Sequence, residues 1–380
     1  MTATIRAIGT AVPETTLDQG RVRDLFSAQP GIGRLASRLV PAAFDASEVD
    51  HRHTVLDELD AARPGGAFRD DDGVLRSPST GSRNDRYREL APPLFVAAAR
   101  DAVERAGVDP ASVTHLVTVS CTGFTQPGPD IDIVEQLGLP AGVFRHHIGF
   151  MGCCAAFPAL RIAAAFAEAD PDAVVLVVCA ELCTLHVRAS DDPDQIVANS
   201  VFGDGAAAVV VAADGAGLRL DGFATTVIPE GASEMAWNIG DEGFEMVLST
   251  AVPKLVGAHV PAAVAPLVGG SGTPSDIPVW AIHPGGRAIL DRAQEALGLP
   301  DTAMASSRRV LRAHGNMSSA TVLFVLRDAV DAGLTDGSSL VALAFGPGLT
   351  VESGRLTAVR TEASPDVEPR RAPVATAGTA

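Results

Sequence analysis

Apolar stretches of strand length alternate with helix-spaced patterns through most of the chain, and that alternation sets the fold class. Residues 114–120 (THLVTVS) form a short Val- and Thr-rich run that reads as a buried strand. The stretch before it, 94–107, is Ala-rich and amphipathic and ends on Gly107, a residue that lets a helix stop. Residues 155–169 again have helical spacing and close at the turn signal Asp170-Pro171-Asp172. Two continuous apolar runs, 173–179 (AVVLVVC) and 205–212 (GAAAVVVA), read as strands buried on both faces. The later part repeats the scheme, with a strand at 279–282, helices at 287–297 and 320–333, and a strand at 340–344. Such strands, separated by helices, predict an α/β protein with helix-covered sheets.

Each half presents a strand-to-helix junction with reactive residues, which points to a duplicated architecture. The expected division is a first half at 1–225, a second at 226–361 and a tail at 362–380. The tail has no period and is rich in Pro and Ala, so it is expected to be disordered. Residues 63–83, polar with Gly and Ser clusters, read as a surface insertion.

Composition narrows the function. The chain has 380 residues, 47% hydrophobic, enough for a large core of mostly Ala, Val and Leu. Lys and Arg number 29 against 46 Asp and Glu, a net charge of −17, the wrong sign for coating nucleic acid. Aromatic residues are only 4%, too few for the stacking platforms of single-strand binders. The N-terminus carries no signal-peptide pattern, and no run reaches about 18 uncharged apolar residues, so a cytoplasmic chain with no membrane span is expected. The five cysteines, 121, 153, 154, 179 and 183, are an odd set and a poor disulfide framework. Cys179, Cys183 and His186 lie close in sequence but contain no CxxC pair, so they read as small buried side chains and no metal is expected.

Three segments carry chemistry. In GFMGCCAAFPALR (149–161), a Gly-permitted turn places Cys153 before an Ala-rich helix, whose N-terminal N–H groups would favour thiolate. Pro158 is tolerated because it falls near the helix start. In WAIHPGG (280–286), His283 ends an apolar strand, where α/β proteins form ligand crevices. In HGNMSSA (314–320), Asn316 stands just before an apolar helix, where Asn also serves as an ordinary N-cap. Cys, then His, then Asn is an order suited to thiolate chemistry: the His activates the thiol, and His and the carboxamide donate to an oxyanion. A papain-like protease and a thioester-condensing enzyme both fit these groups. The buried α/β setting, with no secreted disulfide scaffold, favours the second.

At these residues the chain resembles the type III polyketide synthases, the chalcone-synthase-like family. GCCAAFPALR (152–161) resembles the family's nucleophile segment, AIHPGG (281–286) its histidine motif, GNMSSATVLFVL (315–326) its asparagine segment, and FGPGLTVE (345–352) its C-terminal signature loop. VFGDGAAAVVV (201–211) is similar to the stretch that holds one gatekeeper phenylalanine, here Phe202. The resemblance implies an α/β thiolase fold of two related α/β/α/β/α halves, working as a homodimer. It implies Cys153 as nucleophile and His283 and Asn316 as its catalytic partners, with Cys154 as the rival thiol. Acyl-CoA starter and malonyl-CoA would be the substrates, in iterative decarboxylative condensation followed by cyclisation, with no cofactor. Met246 falls near a second gatekeeper position, and Cys121, Cys183 and His186 near positions where plant members carry threonine. Ser318 belongs to the asparagine segment. Cys121 and Cys183 resemble the pattern of bacterial members that take fatty acyl starters and make alkylpyrones or alkylresorcinols. With few aromatics in the chain, a cavity walled by small aliphatic residues and an aliphatic starter are expected. Gly285 and Gly286 would give backbone access to the CoA arm, and Arg34, Arg38 and Arg52 would supply cations at the cavity mouth. Other readings are a single-round β-ketoacyl synthase III-like enzyme acting on acyl carrier protein, and a non-catalytic thiolase-fold scaffold.

Overall fold

The computed structural model of the protein describes residues 2–269 and 272–360. In chain order the first half holds β1 (Thr4–Ala11), β2 (Thr15–Asp18), α1 (Gln19–Ser27), α2 (Ala36–Asp45), β3 (His51–Thr54), α3 (Thr80–Ala106), β4 (His115–Ser120), α4 (Pro129–Leu137) and β5 (Phe144–Gly149). It closes with α5 (Ala156–Ala169), β6 (Val174–Leu182), α6 (Pro193–Val201) and β7 (Asp204–Ala212). The second half holds β8 (Gly217–Val227), β9 (Met235–Gly240), β10 (Gly243–Leu248), α7 (Val252–Val268), β11 (Val279–Ile282) and α8 (Arg287–Leu297). It ends with α9 (Ala305–His314), α10 (Thr321–Asp331), β12 (Ser339–Gly346) and β13 (Thr350–Val359).

Nine strands form one hydrogen-bonded array in the order β11-β12-β13-β8-β1-β7-β6-β4-β5. Reading inward from either side, the same pairing recurs. On one side β4 runs parallel to β6, β6 antiparallel to β7, and β7 antiparallel to β1. On the other, β11 runs parallel to β12, β12 antiparallel to β13, and β13 antiparallel to β8. The halves join where β1 meets β8. Each parallel pair needs a crossover connection: α5 lies in that of β4–β6, α10 in that of β11–β12, and α4 joins the further parallel pair β4–β5. The duplication expected from the repeated strand–helix pattern is therefore a duplication of topology.

Burial sorts the layers. In β6, Val175, Val177 and Cys179 pack into a central cluster with α5 and α10, while Leu176, Val178 and Ala180 pack outward against α3. In β12, Leu340, Ala342 and Ala344 face the same central cluster, and Val341, Leu343 and Phe345 face α7 and α8. The order is helix, sheet, helix pair, sheet, helix, the α/β/α/β/α arrangement that the thiolase resemblance implies. Strands buried on both faces explain the uninterrupted apolar runs. Each fully buried Val or Leu contributes about 1.5–3 kcal/mol of hydrophobic stabilisation before the entropy of ordering it is subtracted.

Some boundaries change. The helix at 94–107 is the second part of α3, which starts at Thr80, runs through Pro92 and Pro93, and stops at left-handed Gly107. The prolines withdraw donors from the carbonyls one turn earlier, at Arg88 and Glu89, and both residues are exposed there, so water can serve those groups. The surface insertion is accordingly shorter than 63–83: Ser79 caps α3, and Arg83 is buried. A division after residue 225 would cut β8, which pairs along its length with β13. The tail expected at 362–380 lies outside the described residues.

Candidate active site

Cys153 sits on a single tight turn, Gly152–Cys154, between β5 and α5. Gly152 has φ +66°, and a Cβ there would lie 2.4 Å from Pro347 Cδ in the β12–β13 turn. The Gly152 N–H donates to Cys121 Sγ at 3.2 Å, which fixes the turn from the β4 side. Cys154 is buried the other way: its Sγ donates to the Met151 carbonyl at 3.3 Å, and a Cβ on Gly346 would strike that sulfur at 2.3 Å. The rival thiol is thus locked in packing, and Cys153 is the one that borders the cavity.

The cavity, about 130 Å³, brings Cys153 together with His283, at the end of β11, and Asn316, ahead of α10. Cys153 Sγ lies 3.9 Å from Asn316 Oδ1. That oxygen accepts the Ser318 N–H at 2.9 Å, which orients the amide and leaves its NH₂ as the donor; the NH₂ lies 3.5 Å from the Gly285 carbonyl. Ser318 holds φ +47°, a strained conformation for a residue with a Cβ. The backbone of Asn316 is itself pinned: its N–H donates to Val201 O at 2.8 Å and its carbonyl accepts from Gly203 N–H at 3.0 Å, on either side of Phe202. His283 is buried, and neither ring nitrogen has a partner among the described residues.

Electrostatics differs from the simple helix-dipole expectation. Burial pushes the Cys153 thiol up to about 11; bonding to Ser318 and Asn316 pulls it back, and the Glu181 charge adds to the rise. The helix proper starts only at Ala156, and desolvation outweighs the partial charge at its end. Burial also pushes the imidazole of His283 down to about 3. Each group alone resists charge. A proton passed from thiol to imidazole creates both charges in the same cavity, where their attraction offsets part of that cost.

The other expected residues divide. Phe202, Met246, Cys121, Cys183, His186, Ser318 and Gly285 all border the cavity with the three central groups. Gly286 caps α8 at φ +150° and does not border it. Arg34 and Arg38 are exposed, just before and within the first turn of α2, and border no part of it. Arg52 is not a mouth cation. It borders the cavity but is buried, donating to the carbonyls of Phe202 at 2.9 Å and Asn199 and to Gln19 Oε1 at 2.8 Å, so its guanidinium is committed to holding the Phe202 turn. The wall is also less aliphatic than composition suggests, since Phe26, Trp237, Phe244 and Phe345 line it beside Phe202. Five of the chain's seventeen Phe, Trp and Tyr residues thus line the cavity.

One central residue was missing from the sequence reading. Glu181, at the end of β6, is fully buried. Its Oε2 accepts from Cys121 N–H at 2.9 Å and Thr122 Oγ1 at 3.0 Å, and its Oε1 from Ser319 Oγ at 2.5 Å. Burial pushes its carboxyl up to about 7 against these hydrogen bonds. A lone Glu closing an apolar strand is the signal that could have exposed it.

A thiol, an imidazole and an oriented carboxamide around one apolar cavity, inside a duplicated α/β scaffold, define an acyl-transferring condensing enzyme. Two family descriptions match: chalcone and stilbene synthases, N-terminal domain, over residues 1–215, and the C-terminal domain over residues 219–360. The chain belongs to this family, the type III polyketide synthases, which use acyl-CoA and malonyl-CoA. It is 32% identical to a 3,5-dihydroxyphenylacetyl-CoA synthase of Streptomyces toyocaensis over 361 residues, 92% of this chain and 88% of that one. It is 33% identical to the α-pyrone synthesis polyketide synthase-like Pks18 of Mycobacterium tuberculosis over 365 residues, 92% and 90% of the two chains. Its structure matches the C-terminal type III polyketide synthase domain of Steely1 from Dictyostelium with TM-score 0.86 and 28% identity, covering 94% of this chain and all of that one.

Proposed function

We propose that Cys153 is the nucleophile of this polyketide synthase, that His283 and Asn316 serve both of its half-reactions, and that its starter is an aliphatic acyl-CoA. The carrying observation is the single cavity into which the two halves deliver these three groups, with the His283 nitrogens free of protein partners among the described residues. Cys153 Sγ attacks the starter thioester as its proton passes to His283; CoA leaves as the thiol and Cys153 is acylated. Malonyl-CoA then loses CO₂, and the resulting enolate oxygen takes hydrogen bonds from the His283 N–H and the Asn316 NH₂. The enolate carbon attacks the Cys153 thioester, Cys153 departs as thiolate, and the chain longer by two carbons returns to it for the next round.

The aliphatic assignment is supported by the aliphatic side chains in the cavity lining, among them Leu17, Val22, Leu25, Leu59, Ala198 and Leu248. By analogy with the α-pyrone relative, the product is a pyrone or a related phenolic. A second reading, an aromatic starter, is favoured by the Trp237 and Phe244 rings, stacked 4.5 Å apart in the wall. Turnover of a starter panel with malonyl-CoA, read by mass spectrometry, separates the two. Preference for saturated acyl-CoA supports the first, and turnover of phenylpropanoyl-CoA alone overturns it. No product without acyl carrier protein would overturn the iterative class assignment of substrates.

The enzyme is further read as a cytoplasmic homodimer. Among the described residues strand β5 pairs only with β4, and exposed apolar side chains stand at its two ends, Phe144 at the start and Phe150 and Met151 after the finish, with Arg145, His146 and His147 between them. An open strand edge flanked by exposed apolar side chains suits a second copy. Sedimentation at micromolar concentration should give twice the chain mass, and Phe150→Glu should lower it; a monomeric wild type contradicts this.

A further inference from the structure

Strand β5 ends the nine-stranded array, and its backbone shows which of its groups are still open. The Phe144 N–H donates to the Thr114 carbonyl at 3.0 Å, and β5 runs parallel to β4 from Phe144 to Gly149. In a parallel ladder one residue directs both its N–H and its C=O to the same neighbour, and the next directs them away. Phe144, His146 and Ile148 therefore bond toward β4, and Arg145, His147 and Gly149 turn their backbone groups to the open edge.

The side chains alternate in the same way. Ile148 packs on the central cluster, and the His146 ring lies 5.3 Å from that of Phe166 in α5. Arg145 and His147 stand on the other face, bordering a surface cavity of about 530 Å³ with Tyr87 of α3 and residues 123–131. There His147 Nδ1 lies 3.0 Å from Thr118 Oγ1 of β4. A Cβ on Gly149 would meet His147 Nε2 at 3.7 Å, so the ring leans along the edge. Asp130 of α4 acts on the ring from the same face but is bonded to Arg145 at 2.5 Å. The Tyr87 phenol, pushed up by burial, stays neutral.

A sheet continues through a second copy when a two-fold axis sets two edge strands antiparallel. The register that uses all three open residues places Arg145 opposite Gly149 of the second copy and His147 opposite His147. Such a hydrogen-bonded pair has Cα atoms about 5.5 Å apart and both side chains on one face. Two neutral imidazoles fit there, whereas like charges directly opposite each other destabilise a strand pair. Arg145, facing the glycine over which the ring leans, adds a further positive charge.

We propose that two copies join along β5 in this register and that protonation of the paired His147 rings parts them. This rests on the homodimer reading above and adds its register and its control. In the single chain, burial lowers the His147 pKa against the pull of Asp130. Covering the edge removes more water and lowers it further. The contact is therefore fully present above the free-chain pKa and is lost progressively below it, with two protons taken up per dimer.

The test is sedimentation equilibrium of the full chain at pH 7.5 and pH 5, with far-ultraviolet dichroism to follow the fold. The wild type should be a dimer at pH 7.5, with Kd raised at least about tenfold at pH 5. His147→Gln, neutral at both, should keep one Kd. His147→Lys, charged at both, should be a folded monomer at pH 7.5. His146→Gln, on the other face, should respond to pH as the wild type does. A wild-type Kd that ignores pH, or an acid loss that persists in His147→Gln, overturns the proposal and leaves the dimer standing. Were acid to unfold the chain, His147→Lys decides at pH 7.5, where an undiminished dimer overturns the proposal. A wild type that is monomeric at pH 7.5 removes the dimer reading itself.

Discussion

Gly152 places the nucleophile through two constraints, its positive φ and the Pro347 ring where a Cβ would go. Gly152→Ala should therefore cost about 2 kcal/mol in stability and displace Cys153; chemical denaturation and the rate of Cys153 alkylation check this. The thiol and imidazole are each pushed toward neutrality by burial, so reactivity must come from the pair. His283→Gln should slow alkylation of Cys153 by iodoacetamide at neutral pH by about a hundredfold, the range of a lost general base, and an unchanged rate would disconnect the two. At this scale the sequence was most informative: Cys153 and His283 stand at strand–helix junctions and Asn316 at the break between α9 and α10, where a short motif specifies the backbone. Arg52 was misjudged for a physical reason. A cation read from sequence defaults to the surface, and only the fold shows that it caps the carbonyls of Asn199 and Phe202.

Among the elements, the apolar runs were legible because both faces of β6, β7 and β12 are covered. The β9–β10 hairpin was not. It is half-exposed, irregular in pattern and held by side contacts rather than by the large sheet, so no period marks it. The first turns of α3 are polar and lead into Pro92 and Pro93, which fall where the freed carbonyls meet solvent, so no apolar period marks the start of the helix. The hairpin's dependence on its anchors makes a prediction. Thr80→Val removes the acceptor for the Gly243 N–H, so residues 240–248 should exchange amide protons faster and KM for the starter should rise, with Cys153 alkylation unaffected. Unchanged exchange there would mean the wall is held elsewhere.

Across the molecule, the family boundary near residue 217 separates two copies of one topology, yet the strands run continuously across it and the central cluster draws on both halves. Unfolding in urea should be a single transition, with Trp fluorescence and far-ultraviolet dichroism coinciding; separate midpoints would mean the halves fold independently. The duplication also explains why the site was readable only in part. Each half contributes motifs that can be recognised alone, while the aromatic wall and the Glu181 network arise where distant segments meet. The low aromatic content of the chain, taken as a sign of an aliphatic cavity, says nothing about where those few rings gather.

The most direct test of the account is intact-protein and peptide mass spectrometry after mixing the enzyme with an acyl-CoA and then with malonyl-CoA. The account predicts one acyl adduct, on the peptide bearing Cys153, absent in Cys153→Ala, and discharged by malonyl-CoA into a product longer by two-carbon units. An equal adduct in Cys153→Ala, or one that malonyl-CoA leaves in place, would contradict it.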